Sequence, residues 1–215
     1  MIKELVISAY ERNYDWISKI NNNVKITVYR KGDKCNIKNN EIYLNKNIGR
    51  DVHTFFYHLY YNYDFLYDCT CFSQDDPFDH VNNIVYILNN DINEIIKNYS
   101  TKLNIDNSFF IFNSYSMTME ENNNMGLPHH DGINWPLFNE KYNIDNIWNM
   151  LFDCNHPESY IFVPAGHFCI TRKHVHKRPK YFYKKILDLF ELDDTIPYVI
   201  ERLESYIFDT KYKIK

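Results

Sequence analysis

The sequence predicts a single α/β domain with a mainly parallel central sheet that is flanked by helices. Strand and helix patterns alternate from residue 4 to residue 73, as in layered α/β domains. No Pro-, Gly- or Ser-rich linker divides the chain. Its 215 residues, 45% of them hydrophobic, are enough for one well-buried core. We therefore expect one domain over residues 1–215.

The first half of the chain predicts three strands and two helices in alternation. Short runs rich in strand formers predict the strands, and breaker-free segments with apolar residues every three or four positions predict the helices. In chain order these are the strand Glu4–Ala9, the helix Asp15–Ile20, the strand Val24–Tyr29, the helix Asp51–Tyr63 and the strand Asp68–Ser73. The long helix places Val52, Phe55, Phe56 and Leu59 on one face, which we expect to be buried.

The second half predicts further elements around one irregular segment. The predicted elements are a helix at Ile84–Lys97, a strand at Phe109–Tyr115, strands on both sides of Pro164–Gly166 within Tyr160–Thr171, and helices at Pro179–Glu191 and Ile196–Phe208. Met117–Asn149 is polar, rich in Asn and interrupted by Gly and Pro, so we expect it to be irregular. Long irregular stretches in compact domains are often functional.

Charge and cysteine content restrict the partners and the compartment. With 24 basic and 28 acidic residues, the net charge is −4, so we expect no nucleic-acid partner. No apolar run is long enough to span a bilayer, and the N-terminal residues do not have the pattern of a signal peptide. The five cysteines show no repeated C-x-x-C spacing, so we expect them to be reduced and the protein to be cytoplasmic.

An acidic cluster follows the third predicted strand directly. It runs from Gln74 through Asp75, Asp76 and Asp79 to His80. Ligands of open α/β sheets bind at the carboxyl ends of strands, and carboxylates there suit Mg²⁺ or Mn²⁺. The alternative is a plain turn, since Asp-Pro is common in turns and Asp caps helices.

A second candidate segment lies just before the long helix. Gly49 permits close backbone approach, Arg50 can pair with a phosphate, and Asp51 can cap the helix. The alternative is that Asp51 only caps and Arg50 is only solvated.

The irregular segment carries a third candidate. His129, His130 and Asp131 are suited to Zn²⁺ or Fe²⁺, although adjacent His side chains on a strand point to opposite faces. His129, His130 and Trp135 more simply line a substrate loop, where the flat face of Trp135, together with nearby Tyr142 and Trp148, would stack on a sugar.

His167 and Glu201 are candidates for a general base or a metal ligand, if the fold brings them to the same sheet edge. Taken singly, each also has a structural interpretation: a satisfied core or edge histidine, and a solvated helix charge. Walker A, G-x-G-x-x-G, G-x-S-x-G and H-E-x-x-H motifs are absent from the sequence, which disfavours those enzyme classes.

Together these motifs resemble a known family. The ordered set consists of Ser8–Glu11 with Asp15–Trp16, Tyr29–Gly32, Asn47–Asp51, Phe72–His80, Val163–Arg172, Arg178–Pro179 and Glu201–Leu203. It resembles the domain of unknown function 3431 family and is similar in layout to the small GT-A-type glycosyltransferases of large DNA viruses such as chlorella viruses. The resemblance covers nearly the whole chain apart from Met117–Asn149.

The resemblance implies a GT-A-like fold with a nucleotide-binding half at 1–115 and an acceptor-side half at 116–215. It places Gln74, Asp75 and Asp76 at the D-x-D position of such enzymes, with Gln74 replacing the first carboxylate. The implied nucleotide contacts are Ala9, Tyr10, Glu11, Tyr29, Arg50, Asp51, Gln74 and Asp75. The implied metal ligands are Asp76, Asp79 and His80, and the implied sugar or acceptor contacts are His130, Trp135 and Gly166. Glu201 and His167 are the candidates for catalysis.

These expectations describe an Mn²⁺- or Mg²⁺-dependent glycosyltransferase. Its donor would be a nucleoside-diphosphate sugar, for which we expect UDP as the nucleotide, and its acceptor a glycan or protein-linked glycan. If the gene is viral, the location would be the host cytoplasm. Two other hypotheses stay open: a non-catalytic binding module of the same fold, and a metal hydrolase built on His129, His130 and Asp131.

Overall fold

The computed structural model describes residues 3–32, 40–44, 47–90, 109–111, 115–118, 140–157, 159–162 and 166–215. Four of the candidate site residues lie outside these ranges, namely His129, His130, Asp131 and Trp135. The hydrolase hypothesis and two of the predicted sugar contacts therefore stay predictions.

The centre of the fold is a six-stranded sheet in the order β3-β2-β1-β4-β8-β5. Its strands are β1 (Lys3–Ala9), β2 (Val24–Arg30), β3 (Glu41–Tyr43), β4 (Cys69–Gln74), β5 (Phe109–Ile111) and β8 (Phe168–Thr171). β1, β2, β3 and β4 pair in parallel, whereas β8 runs antiparallel between β4 and β5. The prediction of a mainly parallel sheet is confirmed, and the reversed strand β8 is its one departure among the described strands. A separate two-stranded sheet pairs β6 (Tyr115–Thr118) with β7 (Ser159–Phe162).

The helices agree with most of the sequence patterns. They are α1 (Arg50–Tyr61), α2 (Ile84–Asn89), α3 (Ile144–Leu151), α4 (Arg172–Val175), α5 (Lys180–Leu189) and α6 (Ile196–Phe208), with short 3-10 helices at Asp15–Lys19, Tyr63–Phe65 and Glu140–Tyr142. The predicted apolar face of α1 is buried throughout. Helix α3 corrects the expectation that Met117–Asn149 is irregular to its end.

Helix α3 forms because its apolar residues are spaced for one helix face. Ile144, Ile147, Trp148 and Leu151 are all fully buried, and the Asn143 side chain caps the helix by accepting from the backbone N–H of Asn146. Trp148 donates its indole N–H to the backbone oxygen of Cys154. Trp148 is therefore a core residue, which corrects its expected role in sugar stacking.

Two apolar clusters cover the two faces of the sheet. The larger one contains α1, α3, α5 and α6 and includes stacked rings such as Phe56 and Phe208, whose centroids lie 5.9 Å apart. The smaller one packs the 3-10 helix Asp15–Lys19 and α2 against β1 and β4. The predicted flanking of the sheet by helices is confirmed.

A buried arginine fixes the end of the last helix. Arg178 is only 4% exposed, and its guanidinium donates to the backbone oxygens of Tyr206, Ile207, Asp209 and Tyr212 at 2.6–3.3 Å. These oxygens belong to the last turn of α6 and the segment after it, where a cation complements the helix dipole. We call this set of contacts the Arg178 anchor.

The cysteines differ from expectation at one pair. Cys71 of β4 and Cys169 of β8 are register partners and form a disulfide, so the expectation of five reduced cysteines is wrong for these two. Within the described part of the chain, no helix is long and apolar enough to cross a membrane.

Candidate functional site

The strand order places a crevice at the carboxyl ends of β1 and β4. β1 is followed in sequence by β2 on one side, while β4 lies on its other side after a crossover through α1. In open α/β sheets such a reversal of strand order is where ligands bind. Tyr10 follows β1 and Asp75 follows β4, so two of the predicted motifs meet here.

Asp75 joins the two turns at this edge. One carboxylate oxygen accepts from the backbone N–H groups of Tyr10 and Arg12 at 2.9 and 3.0 Å, and the other accepts from the N–H of Asp76 at 3.0 Å. The backbone oxygen of Asp75 accepts from the indole N–H of Trp16 at 2.7 Å. Asp75 is 7% exposed, so its carboxylate shapes the crevice. The predicted nucleotide contact by Asp75 stays a prediction.

Asp76 and Asp79 differ from Asp75, because their carboxylates face solvent and the side chain of Arg12. A single guanidinium nitrogen of Arg12 lies 3.3 Å from Asp76 Oδ2 and 3.6 Å from Asp79 Oδ2. The side chains of Asp76 and Asp79 are 37% and 76% exposed. Two carboxylates directed at one cation are a pair that a divalent ion can also use.

The other residues of the two turns surround this pair. The Gln74 amide donates to the backbone oxygen of Asp76 at 2.8 Å, which fixes the turn. Ala9 is buried, and its backbone oxygen accepts from the N–H of Lys31. The Tyr10 ring is 44% exposed and lies against Gly32, where an added Cβ would be 2.9 Å from the ring. Glu11 is exposed. The exposed face of Tyr10 suits a stacked base.

A buried lysine is hydrogen-bonded to the backbone of the loop at the start of α1. Lys31 is 2% exposed and donates to the backbone oxygens of Ile48, at 2.9 Å, and Arg50. This loop contains two successive residues with positive φ, Gly49 at +65° and Arg50 at +50°. Arg50 is the only non-glycine residue with positive φ in the described part of the chain, and such backbone strain often marks functional sites.

Arg50 and Asp51 present opposite charges at the head of α1. The Arg50 guanidinium lies 4.7 Å from the centre of the Tyr198 ring in α6. Asp51 accepts from the Ser8 hydroxyl, and burial raises the pKa of its carboxyl although Lys31 opposes that shift. Burial lowers the pKa of Lys31 to about 8, against the attraction of Asp51. The predicted pair therefore lies at the crevice, next to Asp75.

The start of β8 completes the edge on its other side. Phe168 pairs with Phe72, so Gly166 and His167 come beside the end of β4. His167 is fully buried, and its ring centre lies 5.9 Å from that of the exposed His80. Burial, assisted by the charge of His80, lowers the pKa of His167 to about 3. An imidazole with so low a pKa is a weak proton acceptor near neutral pH, which argues against His167 as a general base.

Helix α6 contributes carboxylates to the same edge. Glu201 is 6% exposed, so it is not a solvated helix charge. Glu204 was not among the predicted site residues. It is fully buried, and a Cβ added to Gly166 would lie 2.9 Å from its Oε1. Burial, followed by the charge of Glu201, raises the pKa of Glu204 well above its ordinary value.

Glu204 was missed because an acidic residue in an amphipathic helix usually faces solvent. One signal was available in the sequence: Val199, Ile200, Leu203 and Ile207 surround Glu204 with apolar positions on several sides of the helix. A helix that is apolar on most sides is buried, and its charged residues are buried with it.

Tyr29 does not belong to the crevice, which corrects its predicted contact with a nucleotide. It is 3% exposed, and its hydroxyl is hydrogen-bonded to His58 Nδ1 at 3.0 Å. His58 Nε2 lies 3.1 Å from a carboxylate oxygen of Glu4, so the tyrosine belongs to a buried network between β1, β2 and α1. Its side chain points to the face of the sheet that α1 covers.

The described residues fit a divalent ion only if a ligand shares it. Among them no group of three or more His, Cys, Asp or Glu side chains could hold an ion alone. Mg²⁺ and Mn²⁺ sites for nucleotides typically use one or two carboxylates together with substrate phosphates. Asp76 and Asp79 meet that requirement, with the Arg12 guanidinium now occupying the cation position between them. The prediction that His80 completes the shell stays a prediction.

Comparison with known proteins adds one finding. A family model described as "Protein of unknown function (DUF3431)" matches residues 5–214. No curated protein and no solved structure matches the chain.

Proposed function

The chain belongs to the DUF3431 family, and we propose that it is a GT-A-like, metal-dependent glycosyltransferase that uses a nucleoside-diphosphate sugar, with UDP as the expected nucleotide. The observation that carries the proposal is the pair Asp76 and Asp79, exposed at the β1/β4 crevice and directed at one cation, beside a third aspartate that is fixed by backbone N–H groups. A nucleotide diphosphate bound through a metal needs such a pair at such an edge.

The similarity of the sequence motifs in layout to GT-A-type glycosyltransferases suggests the reaction class, and the crevice offers groups of the kind that the reaction needs. Asp76 and Asp79 would hold Mn²⁺ or Mg²⁺, which supplies charge neutralisation of the diphosphate leaving group. Arg12, which contacts both carboxylates, would then be near enough to pair with a phosphate of the bound nucleotide. Tyr10 offers its exposed ring to the base, and Asp51 and Arg50 offer polar contacts to the ribose and phosphates.

Transfer to a hydroxyl acceptor also requires a proton acceptor if the configuration inverts. We assign this role to Glu201, because the pKa of His167 is lowered to about 3. Glu201 lies on the same helix as Glu204, whose carboxyl contacts Gly166 at the crevice edge. The acceptor is a glycan or a protein-linked glycan in this proposal.

The proposal is tested by calorimetric titration of UDP, GDP and their common sugar conjugates, with and without Mn²⁺, followed by an assay for nucleotide release. We expect the wild-type chain to bind one nucleotide series only with Mn²⁺. Asp76→Asn should weaken that binding at least about tenfold, because it removes one anionic ligand.

Asp64→Asn is the matched control. Asp64 is an exposed aspartate that is paired with Lys180 and precedes β4, at the opposite edge of the sheet. The Asp64→Asn variant should bind the nucleotide with Mn²⁺ as tightly as the wild type does. Metal-dependent binding with no release of nucleotide to any acceptor or to water would favour the non-catalytic module. Absence of nucleotide binding to the wild type in every condition would refute the proposal.

A further inference from the structure

Two buried polar side chains meet the backbone of one glycine at the crevice edge. Glu204 of α6 lies against Gly166, and His167 is the next residue before β8. Gly166 has φ +60°, and a Cβ there would lie 2.9 Å from Glu204 Oε1 and 3.2 Å from the Phe55 ring. Only glycine brings the chain this close to the carboxyl group.

Neither side chain has the hydrogen bonds that its burial requires. Glu204 and His167 are both 0% exposed. Within the described part of the chain, neither carboxylate oxygen of Glu204 and neither ring nitrogen of His167 has a hydrogen-bond partner. Leaving a buried polar group unpaired costs about 1–3 kcal/mol, so two such residues at one glycine need an explanation.

A polar ligand is the explanation that fits their position. The two residues lie beside the end of β4, where Gly166 and His167 extend the pairing of Phe168 with Phe72. The exposed His80 lies over His167 and follows the turn that carries Asp76 and Asp79. The unpaired atoms therefore lie next to the crevice. A side chain that only filled the core would not need polar atoms, since an apolar side chain would fill the same volume without a loss of stability.

We propose that Glu204 and His167 form a subsite that binds the hydroxyl groups of an uncharged sugar. This inference rests on the proposed function, which brings a sugar to the crevice, and it specifies the chemistry of that sugar. The sugar is the transferred residue of the donor or a residue of the glycan acceptor, and the experiment distinguishes the two.

The hydrogen-bonding capacity of the two side chains matches hydroxyl groups. Burial favours the protonated form of the Glu204 carboxyl, which offers a donor and an acceptor, and a neutral imidazole offers one of each. A sugar hydroxyl also donates and accepts. A carboxylate or phosphate on the sugar would face Glu204 and the neighbouring Glu201 with no cation supplied by either, so sugars that carry an anionic group are disfavoured.

Two substitutions of Glu204 distinguish binding from packing. Glu204→Gln keeps a donor and an acceptor in nearly the same shape, whereas Glu204→Leu keeps the volume and removes both. Removing an unpaired buried carboxyl should not destabilise the fold, so both variants are expected to fold, and thermal melting checks this. Glu191→Leu, an exposed position after α5, is the matched control for the substitution itself.

The probes are UDP, UDP-glucose, UDP-galactose, UDP-N-acetylglucosamine, GDP, GDP-mannose and GDP-fucose with Mn²⁺, and the corresponding free sugars without nucleotide. The preferred conjugate should bind the wild type more tightly than the bare nucleotide does. We expect Glu204→Leu to reduce this affinity ratio, conjugate over bare nucleotide, at least about tenfold. Bare nucleotide should bind unchanged, and Glu204→Gln should bind the conjugate within about threefold of the wild type. Loss confined to free sugars assigns the subsite to the acceptor.

The outcomes separate this inference from the proposed function. If nucleotides bind and Glu204→Leu keeps the whole gain from the sugar, the subsite is refuted and the transferase proposal is retained. If no nucleotide binds but a free sugar does, and Glu204→Leu abolishes that binding, the transferase proposal fails and the subsite is retained. A wild-type chain that gains nothing from any sugar, conjugated or free, also overturns the subsite.

Discussion

Helix α6 carries two buried polar contacts that differ in one respect. At its carboxyl end, Arg178 donates to four backbone oxygens, and each of its three guanidinium nitrogens makes at least one hydrogen bond. About one turn before the helix ends, Glu204 is as deeply buried and has no hydrogen-bond partner among the described residues. The first is what a stabilising buried charge requires. The second indicates a group whose partner comes from outside the chain.

The same contrast separates the neighbours Asp75 and Asp76. The Asp75 carboxylate is buried and accepts hydrogen bonds from three backbone N–H groups. The Asp76 carboxylate is exposed, and its ion pair is with the long side chain of Arg12. Fully paired groups hold the crevice in shape, and incompletely paired groups are left to bind. Four predictions can break or sharpen this comparison.

The largest effect is expected at the Arg178 anchor. Arg178→Met removes every hydrogen bond to the four oxygens, and several of those oxygens stay buried. We expect a loss of about 3–5 kcal/mol in the free energy of unfolding, measured by urea denaturation.

Lys180→Met is the control for that loss. Its ion pair with Asp64 is exposed on both sides and screened by water, so we expect no measurable change in the free energy of unfolding. An anchor variant as stable as this control would remove the distinction between paired and unpaired groups.

The second prediction concerns the proton on Glu204. Its pKa is raised in the folded state by burial and by Glu201, so the folded chain holds this proton more tightly than the unfolded chain. The free energy of unfolding is therefore highest at low pH and falls as the pH rises above the pKa that Glu204 has in the unfolded chain. The slope is at most about 1.4 kcal/mol per pH unit.

Glu204→Gln should remove that slope. The stability of the variant relative to the wild type should therefore rise between pH 5 and pH 7, measured by urea denaturation at each pH. A constant difference would mean that Glu204 has a partner and that its burial is compensated.

His167 should give a pH dependence of the opposite sign. Burial and His80 lower its pKa to about 3, so the folded state rejects a proton that the unfolded histidine accepts below about 6.5. Stability is full above that pH and is lost as the pH falls. Between pH 7 and pH 4.5 the wild type should lose about 2.5 kcal/mol more than His167→Asn. Equal losses in both proteins would show that the imidazole is solvated or hydrogen-bonded.

The smallest stability effect should distinguish the adjacent aspartates. Asp75→Ala leaves the backbone N–H groups of Tyr10 and Arg12 unpaired, and we expect a loss of about 2 kcal/mol. Asp76→Ala removes only an exposed ion pair and should change stability by less than about 0.5 kcal/mol. Thermal melting without ligand ranks the two. The reverse order would assign the structural role to Asp76.

Much of the fold could be predicted because its strongest patterns are local. The alternation in Val24–Tyr29 and the apolar face of α1 are readable from neighbouring residues, and both elements agree with the structure, where the strand runs one residue further to Arg30. The insertion of β8 between β4 and β5 could not be predicted, since pairing over about a hundred residues leaves no local pattern. Helix α3 was missed because its Asn content outweighed the spacing of Ile144, Ile147, Trp148 and Leu151.

The candidate site could be predicted at the level of segments but not of side chains. The acidic turn and the Gly49–Asp51 loop do meet at the predicted edge. Which aspartate is buried depends on the backbone N–H groups of a turn more than sixty residues away, and that is set by the fold. Tyr29 was misplaced for the same reason, because alternation along β2 does not say that this side chain packs under α1 and away from the crevice.

Hydrogen–deuterium exchange with and without UDP and Mn²⁺ tests the central claim most directly, since it compares the two regions in one experiment. We predict that ligand slows exchange in the segments 8–12, 47–54, 73–80 and 166–171 and leaves the Arg178 anchor at 206–212 unchanged. Slowing confined to the anchor, or no slowing at the crevice in the presence of saturating ligand, would contradict the account.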